Sequence, residues 1–433
     1  MTDRIKTPLL FAGVALLILL TGVLQSWNSA LVILNMGLIS AIMALGVNLQ
    51  WGFAGLFNTG IMGFVALGGL ATVLVTAAPV PGVTTGQALA VLGALALGAG
   101  VIVAAILMWQ HLRRARGLAV TVTLIAGFFL FRAVFDPAVA LIEANNPASA
   151  GNIGGLGLPA LWAWPVGGML AAGAAWVIGK TALGLRSDYL AIATLGIAEI
   201  VIAVLKNEDW LARGVKNMIG LPRPWPVPLE VDLQQDPGFI AQAAGLGLDT
   251  TTASTLWVQL IYAVLFAIVL AILFWLVERA RHSPWGRLMR AIRDNEVAAS
   301  AMGKNVTARH LQVFVLGSAI VGIAGAMMTS LDGQLTPGSY QPLRFTFLVW
   351  VMVIVGGSGN NWGAVLGGFL IWFLWVQVEP LGNLLMQAIT TGMTDSPLKT
   401  HLIDSAAHMR LFTMGLLLLL VLRFSPRGLI PEK

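Results

Sequence analysis

Cysteine is absent from the sequence, and charged residues make up only 10% of its 433 positions. A chain without cysteine forms no disulfide bond and carries no reactive thiol. Soluble domains contain roughly 25% charged residues, whereas this chain combines few charges with 58% hydrophobic residues and a mean hydropathy of +0.85. The composition therefore excludes an ordinary soluble domain and predicts an integral membrane protein.

The apolar runs are about 20 residues long and do not alternate, as in spanning helices; barrel strands would be about 10 residues long and alternate. We predict an all-α integral membrane protein, a polytopic helical bundle of about 10–12 spans that forms one transmembrane domain over residues 1–433. The tenth and eleventh spans are short, so we expect broken or re-entrant helices there. The predicted spans are 8–26, 29–50, 59–78, 87–110, 118–136, 160–179, 188–206, 255–277, 311–330, 343–356, 362–379 and 407–423.

The distribution of positive side chains sets the predicted orientation. With the N-terminus in the cytoplasm, most of the 25 lysines and arginines, including Arg113, Arg114 and Lys433, fall on the cytoplasmic side. This bias follows the positive-inside rule, and it places both termini and the segment 278–310 in the cytoplasm. Because the positive residues are dispersed over short loops, the net charge of +6 does not indicate nucleic-acid binding.

The longest segment on the opposite, extracytoplasmic side is the loop 207–254, which is rich in proline and carries several acidic residues. A loop of this length in a compact domain needs a structural or functional reason. Two explanations remain open at this stage. The loop is a docking surface for an extracytoplasmic partner, or it is a solvated cap over the helix ends.

The segment 278–310 is the most charged part of the chain. Its pattern predicts a short helix over residues 286–302 that Gly303 and Asn305 terminate. The span that follows carries Gly317, Gly322 and Gly325 at a spacing typical of close helix packing. An amphipathic helix in this position either docks on a soluble partner or lies on anionic membrane lipid.

Two glycine-rich stretches, 51–60 and 356–368, interrupt the apolar pattern and predict breaks in the membrane helices. A break exposes backbone amides and carbonyls, which lipid cannot receive, so protein or a water-filled cavity must receive them. In transporters such breaks often mark the translocation path; the alternative is a set of tight helix crossings. The polar and glycine residues at these breaks that we assign to the path are Asn48, Asn58, Gly356, Gly357 and Asn360.

Glu199 lies in the middle of the predicted span 188–206 and is our sixth candidate for the translocation path. An ionisable residue inside a membrane span is expensive and is usually functional or located at a subunit interface. The alternative is a buried, protonated glutamate that is hydrogen-bonded to a neighbouring helix. If Glu199 carried protons, the chain would be a stand-alone secondary transporter or channel.

The sequence offers no energy source and no catalytic residues. Residues 173–181 imitate a phosphate-binding loop, but five residues separate the glycines where that loop has four, and the stretch ends a membrane span. The five histidines show no metal-ligand pattern, and no nucleophile–base arrangement stands out. We therefore expect a protein that is not an enzyme and that uses neither a metal nor a cofactor.

Five blocks of the sequence resemble those of one transporter family: the LivM-type permease subunits of ATP-driven importers for branched-chain, or hydrophobic, amino acids. The blocks occur in the family's order and cover most of the chain outside 80–180 and 207–254. They read ALGVNLQWGFAGLFNTGIMGFVALGG, LRSDYLAIATLGIAEI, SPWGRLMRAIRDNEVAASAMG, VGGSGNNWGAVLGG and RFSPRGLI.

The resemblance implies a location in the bacterial inner membrane and a set of partners: two cytoplasmic ATPase subunits, a second homologous permease subunit and an extracytoplasmic substrate-binding protein. It also implies that the segment 278–310 is the coupling loop, whose helix moves the spans 188–206 and 311–330 when the ATPases close. Branched-chain amino acids, amides, urea and aromatic acids all remain open as substrates. The residues we assign to this coupling are Arg290, Arg293, Asp294, Glu296, Ala299 and Gly303.

Overall fold

The computed structural model describes residues 3–112, 115–145, 151–393 and 396–432, and nearly all of its regular structure is helical. The prediction of an all-α polytopic membrane protein is confirmed. Its helices are α1 Asp3–Leu24, α2 Trp27–Ala54, α3 Ile61–Thr76, α4 Thr85–His111, α5 Arg116–Glu143, α6 Ala163–Ala182, α7 Ser187–Asn207, α8 Asp209–Ala212, α9 Glu230–Gln235, α10 Pro237–Gly245, α11 Thr250–His282, α12 Pro284–Asp294, α13 Glu296–Ala301, α14 Val306–Asp332, α15 Leu348–Gly356, α16 Asn361–Thr390, α17 Pro397–Asp404 and α18 Met409–Phe424.

Short elements complete the chain. Four 3₁₀ turns and one π-helical turn lie between the helices of the described residues: Ala160–Trp162, Gly214–Lys216, Pro337–Ser339 and Ser405–His408 are 3₁₀, and Leu343–Phe347 is π-helical. One two-stranded antiparallel sheet joins β1 (Met218–Ile219) to β2 (Gln334–Leu335), with Met218 opposite Leu335. This sheet fastens the segment 207–254 to the end of α14.

A helix occupies each of the twelve predicted stretches, and nine helices in the described residues are long and apolar enough to cross a membrane. The apolar helices α3 and 344–356 are shorter, and α17 and α18 form a pair bent by 56°. The prediction of a short eleventh span is wrong, because α16 runs for 30 residues. The broken pair therefore consists of a short helix that ends at Gly356 and a full-length helix that begins at Asn361.

Helix α2 is the centre of the bundle, since 83% of its apolar window is buried. It packs against α11, α14 and α16, while α3 and α6 pack on α14. Glycines let these backbones approach closely. A Cβ at Gly317 would meet the Gly46 carbonyl oxygen at 2.6 Å, and one at Gly322 would meet the Gly167 carbonyl oxygen at the same distance. The predicted close packing at Gly317 and Gly322 is confirmed.

Gly322→Val is expected to destabilise the protein by about 1–3 kcal/mol, because the added side chain has no space between α6 and α14 and the backbones must separate. The measurement is the denaturation midpoint of the purified protein in detergent. Gly93→Val on α4 is the matched control, since a Cβ there meets nothing within 4 Å. Equal midpoints for the two variants would contradict the packing account.

The connections between helices gather at two ends of the bundle. One end holds the α2–α3 connection, the segment 278–310, the α15–α16 connection and the C-terminal residues, which contact one another. The opposite end holds the β1–β2 sheet; α14, with 27 residues, extends about 40 Å between the two ends. This grouping agrees with the predicted topology, in which those four segments share one side. Arg113, Arg114 and Lys433 lie outside the described residues.

Candidate functional site

The segment 278–310 contains two short helices, α12 and α13, rather than the one continuous helix predicted over 286–302. That prediction is wrong because Asn295 is extended, with φ −156° and ψ 95°, and separates the two helices. Its side-chain oxygen accepts a hydrogen bond of 2.9 Å from the Ala298 N–H and thereby caps α13. The predicted end of the helix is confirmed, since α13 stops at Ala301 and Gly303 is left-handed, with φ +74°.

An apolar face seats this segment on the bundle. Met289 and Ile292 of α12 are fully buried, and Ala299 of α13 is also buried. Helix α12 packs against α2 and α11. Because the segment contacts the central helix α2 directly, a displacement of α12 reaches the core of the bundle without an intermediate element.

The opposite face of the segment is exposed. Asp294, Glu296 and Gly303 lie on it, together with Val297 and Met302, whose exposed fraction is 79% each. The exposed part of the segment thus combines two apolar side chains with two carboxylates that are close to them in sequence. We call the segment 278–310, for the role expected of it, the coupling segment, and the exposed residues Asp294, Glu296, Val297 and Met302 the outer face of the coupling segment.

Arg293 points inward and joins three separate parts of the chain. Its guanidinium donates to the Gly52 carbonyl oxygen at the end of α2 and lies 2.7 Å from the Glu432 carboxylate in the C-terminal residues. It also pairs with Asp294 at 3.1 Å. Burial acts to lower the pKa of Arg293, but the hydrogen bonds and charges of Glu432 and Asp294 raise it above its ordinary value. The guanidinium therefore stays charged and holds α12 to the α2 terminus.

A buried polar cluster lies next to Arg293, around Asn48 of α2. The Asn48 side chain accepts a hydrogen bond from the Gly359 N–H at 2.8 Å and donates to the Asn361 side chain at 3.1 Å. Asn361 in turn donates to the Glu278 carboxylate at 2.7 Å. Helices α2, α11 and α16 and the α15–α16 connection are thus joined by one chain of hydrogen bonds.

A second polar cluster surrounds Asn58 in the α2–α3 connection. Its side chain donates to Gln50 at 2.9 Å and accepts from the Gly60 N–H at 2.9 Å. Gln50 also donates to the Ser318 hydroxyl of α14 at 3.0 Å. Asn48 and Asn58 are both buried, so the two clusters lie inside this end of the bundle rather than on its surface.

The break at Gly356 and Gly357 is stabilised by protein rather than by an open cavity. The carbonyl oxygen of Gly356 accepts from the Ile430 N–H at 2.9 Å, and Asn360 donates to the Pro431 carbonyl oxygen at 3.1 Å. Gly357 has φ +120°, a conformation that side chains disfavour. The C-terminal residues therefore receive the backbone groups that the break leaves open.

Glu199 is not part of these clusters. Its side chain is exposed on α7, on the side away from the buried residues of that helix. The other five residues assigned to the path, by contrast, lie together at the end that carries the coupling segment. Of the coupling residues, Asp294, Glu296 and Gly303 are exposed, Arg290 is half-buried, and Arg293 and Ala299 face the bundle.

Sequence reasoning missed four residues that complete the site: Gln50, Glu278, Asn361 and Glu432. Glu432 is 139 positions from Arg293, and no local pattern links the two. Asn361 and Gln50 carried a weak signal, since each is a polar residue beside a predicted helix break. Glu278 was recognised only as part of a charged run, although an acidic residue at a helix end near a membrane surface needs a partner.

Comparison with known proteins identifies related transport proteins. A family model described as "Branched-chain amino acid transport system / permease component" matches residues 138–422. The permease protein LivM of a high-affinity branched-chain amino acid transport system in Escherichia coli (strain K12) is 29% identical over 209 residues, 48% of each chain. A probable branched-chain amino acid transport permease protein LivM of Methanocaldococcus jannaschii is 27% identical over 249 residues, 58% of this chain and 61% of the relative.

The permease protein LivH of a high-affinity branched-chain amino acid transport system in Escherichia coli (strain K12) is 27% identical over 122 residues, which is 28% of this chain and 36% of LivH. The matches span about half the length of the LivM relatives. No solved structure matches the chain significantly.

Proposed function

Since the chain belongs to the family of permease components of branched-chain amino acid transport systems, we propose that it is the membrane-spanning subunit of an ATP-driven importer in a bacterial inner membrane. Its substrates are branched-chain or related hydrophobic amino acids, as the names of the relatives suggest. The subunit performs no ATP hydrolysis; separate cytoplasmic ATPase subunits supply the energy. Both termini and the segment 278–310 then lie in the cytoplasm.

The observation that carries this proposal is the position of Arg293 between the outer face of the coupling segment and both helix breaks. An ATPase that pushes on the outer face displaces α12, and Arg293 transmits that displacement to Gly52 and Glu432. Gly52 precedes the α2–α3 break, and the residues before Glu432 hold the α15–α16 break. The clusters of Asn48 and Asn58 would separate in this motion and open the cytoplasmic end of the path.

The corner at Asn295 changes how the coupling segment acts. Helix α13 has only six residues and is too short to transmit a movement by itself. The movement is therefore transmitted by α12, which packs against α2 and α11 and buries Met289 and Ile292. Helix α13 and its exposed Val297 and Met302 form the contact with the ATPase. Gly303 gives the turn into α14, with a left-handed backbone that permits the reversal.

Glu296→Lys is expected to weaken binding of the ATPase subunit at least about tenfold, because a charge of the wrong sign then sits in the docking surface. The fold is unaffected, since Glu296 is exposed and such surface changes cost within about 0.5 kcal/mol. The measurement is the amount of ATPase that co-purifies with the tagged chain in mild detergent. Asp232→Lys, an exposed charge reversal on α9, is the control, and ATPase recovery equal to that of this control would rule out docking through Glu296.

The exposed side of α7 is a suitable contact surface for the second permease subunit. Gly196, Glu199 and Ile200 are exposed there, and a Cβ at Gly196 would meet nothing within 4 Å. A glutamate in contact with lipid at the middle of a span costs roughly 2.5–3.5 kcal/mol on insertion scales. A neighbouring helix that approaches at Gly196 and offers Glu199 a hydrogen bond removes this cost.

Glu199→Gln is expected to leave the pH dependence of uptake unchanged, because an ATP-driven permease does not move protons through this side chain. Recovery of the second permease subunit should fall at most about threefold, since glutamine keeps most of the hydrogen-bonding capacity. The measurement is uptake of labelled leucine between pH 5 and pH 8 in cells that express the complete system. Loss of a pH-dependent component in this variant would favour the stand-alone, proton-driven carrier.

The segment 207–254 is a suitable docking surface for the extracytoplasmic substrate-binding protein. Contacts with the end of α14 and within the segment hold it in place: β1 pairs with β2, the Leu221 N–H donates to the Gly333 carbonyl oxygen at 3.0 Å, and Arg223 pairs with Glu230 at 2.6 Å. A segment held in a defined shape at the predicted outer end is better suited to docking than a freely solvated cap. We therefore assign it the docking role.

A further inference from the structure

A polar cavity of about 300 Å³ opens at the end of the bundle that carries the β1–β2 sheet, opposite the coupling segment. Its volume is at the lower limit of the roughly 300–1,000 Å³ of small-molecule sites. The cavity lies between the end of α14, strand β2 and the π-helical turn Leu343–Phe347. Its lining includes Met328, Asp332, Gln334, Ser339, Arg344 and Phe345.

Arg344 is positioned by aromatic rings rather than by a carboxylate. Its guanidinium carbon is 5.0 Å from the centroid of the Phe345 ring and 5.4 Å from that of Trp372. The Arg344 Nε is buried, and no hydrogen-bond partner reaches it within the described part of the chain. A guanidinium that stacks on rings keeps its N–H edge free for a planar carboxylate. The cavity thus contains a fixed cation that forms no direct ion pair within the described residues, although the nearby Asp332 carboxylate attracts it.

Asp332 is the last residue of α14 and is exposed in the cavity wall. A carboxylate at this position is unfavourable for the helix, because the C-terminal end of a helix already carries partial negative charge. Among the ion pairs formed by the described residues, none joins Asp332 to Arg344. The helix end and Asp332 together favour a positively charged ligand group at a short distance from the free guanidinium.

We propose that this cavity binds free α-amino acids as zwitterions, with Arg344 receiving the α-carboxylate, Asp332 the α-ammonium group, and Met328 and Phe345 the apolar side chain. The inference rests on the proposed function and narrows its substrate class. Urea and simple amides carry neither charge, and aromatic acids lack the ammonium group. The cavity adjoins the β1–β2 sheet, so an amino acid released by a protein docked on the segment 207–254 enters it directly.

A larger cavity of about 590 Å³, between α2, α10 and α11, does not offer these groups. Its lining is mainly apolar, and its carboxylate, Asp236, already accepts the Gly238 N–H at 2.9 Å as the cap of α10. Of these two cavities, the smaller one therefore offers charges of both signs that form no direct ion pair within the described residues.

The experiment measures equilibrium binding of three probes to the purified full-length chain in nanodiscs by saturation-transfer NMR titration. The probes are L-leucine, 4-methylpentanoate, which lacks the ammonium group, and 3-methylbutylamine, which lacks the carboxylate. Arg344→Gln is expected to weaken the binding of leucine and of 4-methylpentanoate by at least about tenfold and to leave the binding of 3-methylbutylamine unchanged. Asp332→Asn should weaken the binding of leucine and of 3-methylbutylamine and leave the binding of 4-methylpentanoate unchanged.

Arg132→Gln is the matched control, because Arg132 already pairs with Asp136 of α5 at 3.0 Å within the chain. It should retain the leucine affinity of the unaltered protein. The inference is overturned if leucine does not bind in nanodiscs, if Arg344→Gln retains full leucine affinity, or if each substitution weakens all three probes equally. Failure of the inference is distinguishable from failure of the proposed function. If a complex that carries Arg344→Gln takes up leucine with ATP at the normal rate, the inference is overturned and the proposed function stands.

Discussion

Arg293→Gln is expected to reduce ATP-driven uptake at least about tenfold while the ATPase subunits remain bound. The guanidinium makes charge-assisted contacts with the Gly52 carbonyl oxygen and with Glu432, and each such hydrogen bond contributes about 1.5–3 kcal/mol. Glutamine is too short to reach both partners. The outer face keeps Glu296, Val297 and Met302, so docking persists. Movement of α12 then no longer reaches the helix breaks, and ATP hydrolysis continues without transport.

Arg287→Gln is the matched control, since Arg287 lies on the same helix, is exposed, and its side chain donates, among the described residues, only to the His282 carbonyl oxygen at 3.2 Å. Its uptake should stay within about twofold of the unaltered protein. A double-mutant cycle with Glu432→Gln adds a second check, because the double variant should be no worse than Arg293→Gln alone. Additive losses would show that the two side chains act separately and that the proposed link between them does not exist.

Asn48→Leu is expected to destabilise the folded protein by about 2–4 kcal/mol and to abolish uptake. The substitution keeps the volume of the side chain but leaves the Gly359 N–H and the side-chain oxygen of Asn361 without the partner that Asn48 provides, and each unsatisfied buried group costs about 1–3 kcal/mol. Asn48 is completely buried, so water cannot replace the lost bonds. The measurement is the denaturation midpoint of the purified protein in detergent, followed by uptake in cells.

Asn207→Leu is the corresponding control at the end of α7, where the exposed asparagine donates only to the Ala203 carbonyl oxygen one turn earlier. Its stability should change by less than about 0.5 kcal/mol. If Asn48→Leu proved as stable as this control, the cluster around Asn48 would not hold the three helices together. The proposal that this cluster keeps the cytoplasmic end of the path closed would then be wrong.

The fold followed from local patterns. Unalternating apolar runs predicted a helix at every one of the twelve stretches, and glycine spacing predicted the contact of α14 with its neighbours at Gly317 and Gly322. The breaks at 51–60 and 356–368 were also read correctly, because Gly357 needs a backbone conformation that other residues avoid. Local backbone preference and hydrophobicity decide these features, so sequence is sufficient for them.

The direction of side chains at the site depends on tertiary contacts and could not be read in the same way. Arg293 was assigned to the coupling from its place in the charged segment, but its inward direction could not be predicted, because its partner Glu432 lies far along the chain. The corner at Asn295 was available, since asparagine followed by glutamate is a helix-start signal. It was overlooked because the small residues after it also favour a continuous helix.

The central claim is that this chain moves amino acids only when partner subunits hydrolyse ATP. The most direct test is leucine uptake by proteoliposomes that contain the affinity-purified assembly, with ATP supplied to the ATPase side or with an imposed proton gradient. We predict uptake that requires ATP, persists without the gradient and is lost in Arg293→Gln. Uptake by the chain alone on a proton gradient, without ATP or ATPase subunits, would contradict the account and identify a secondary transporter.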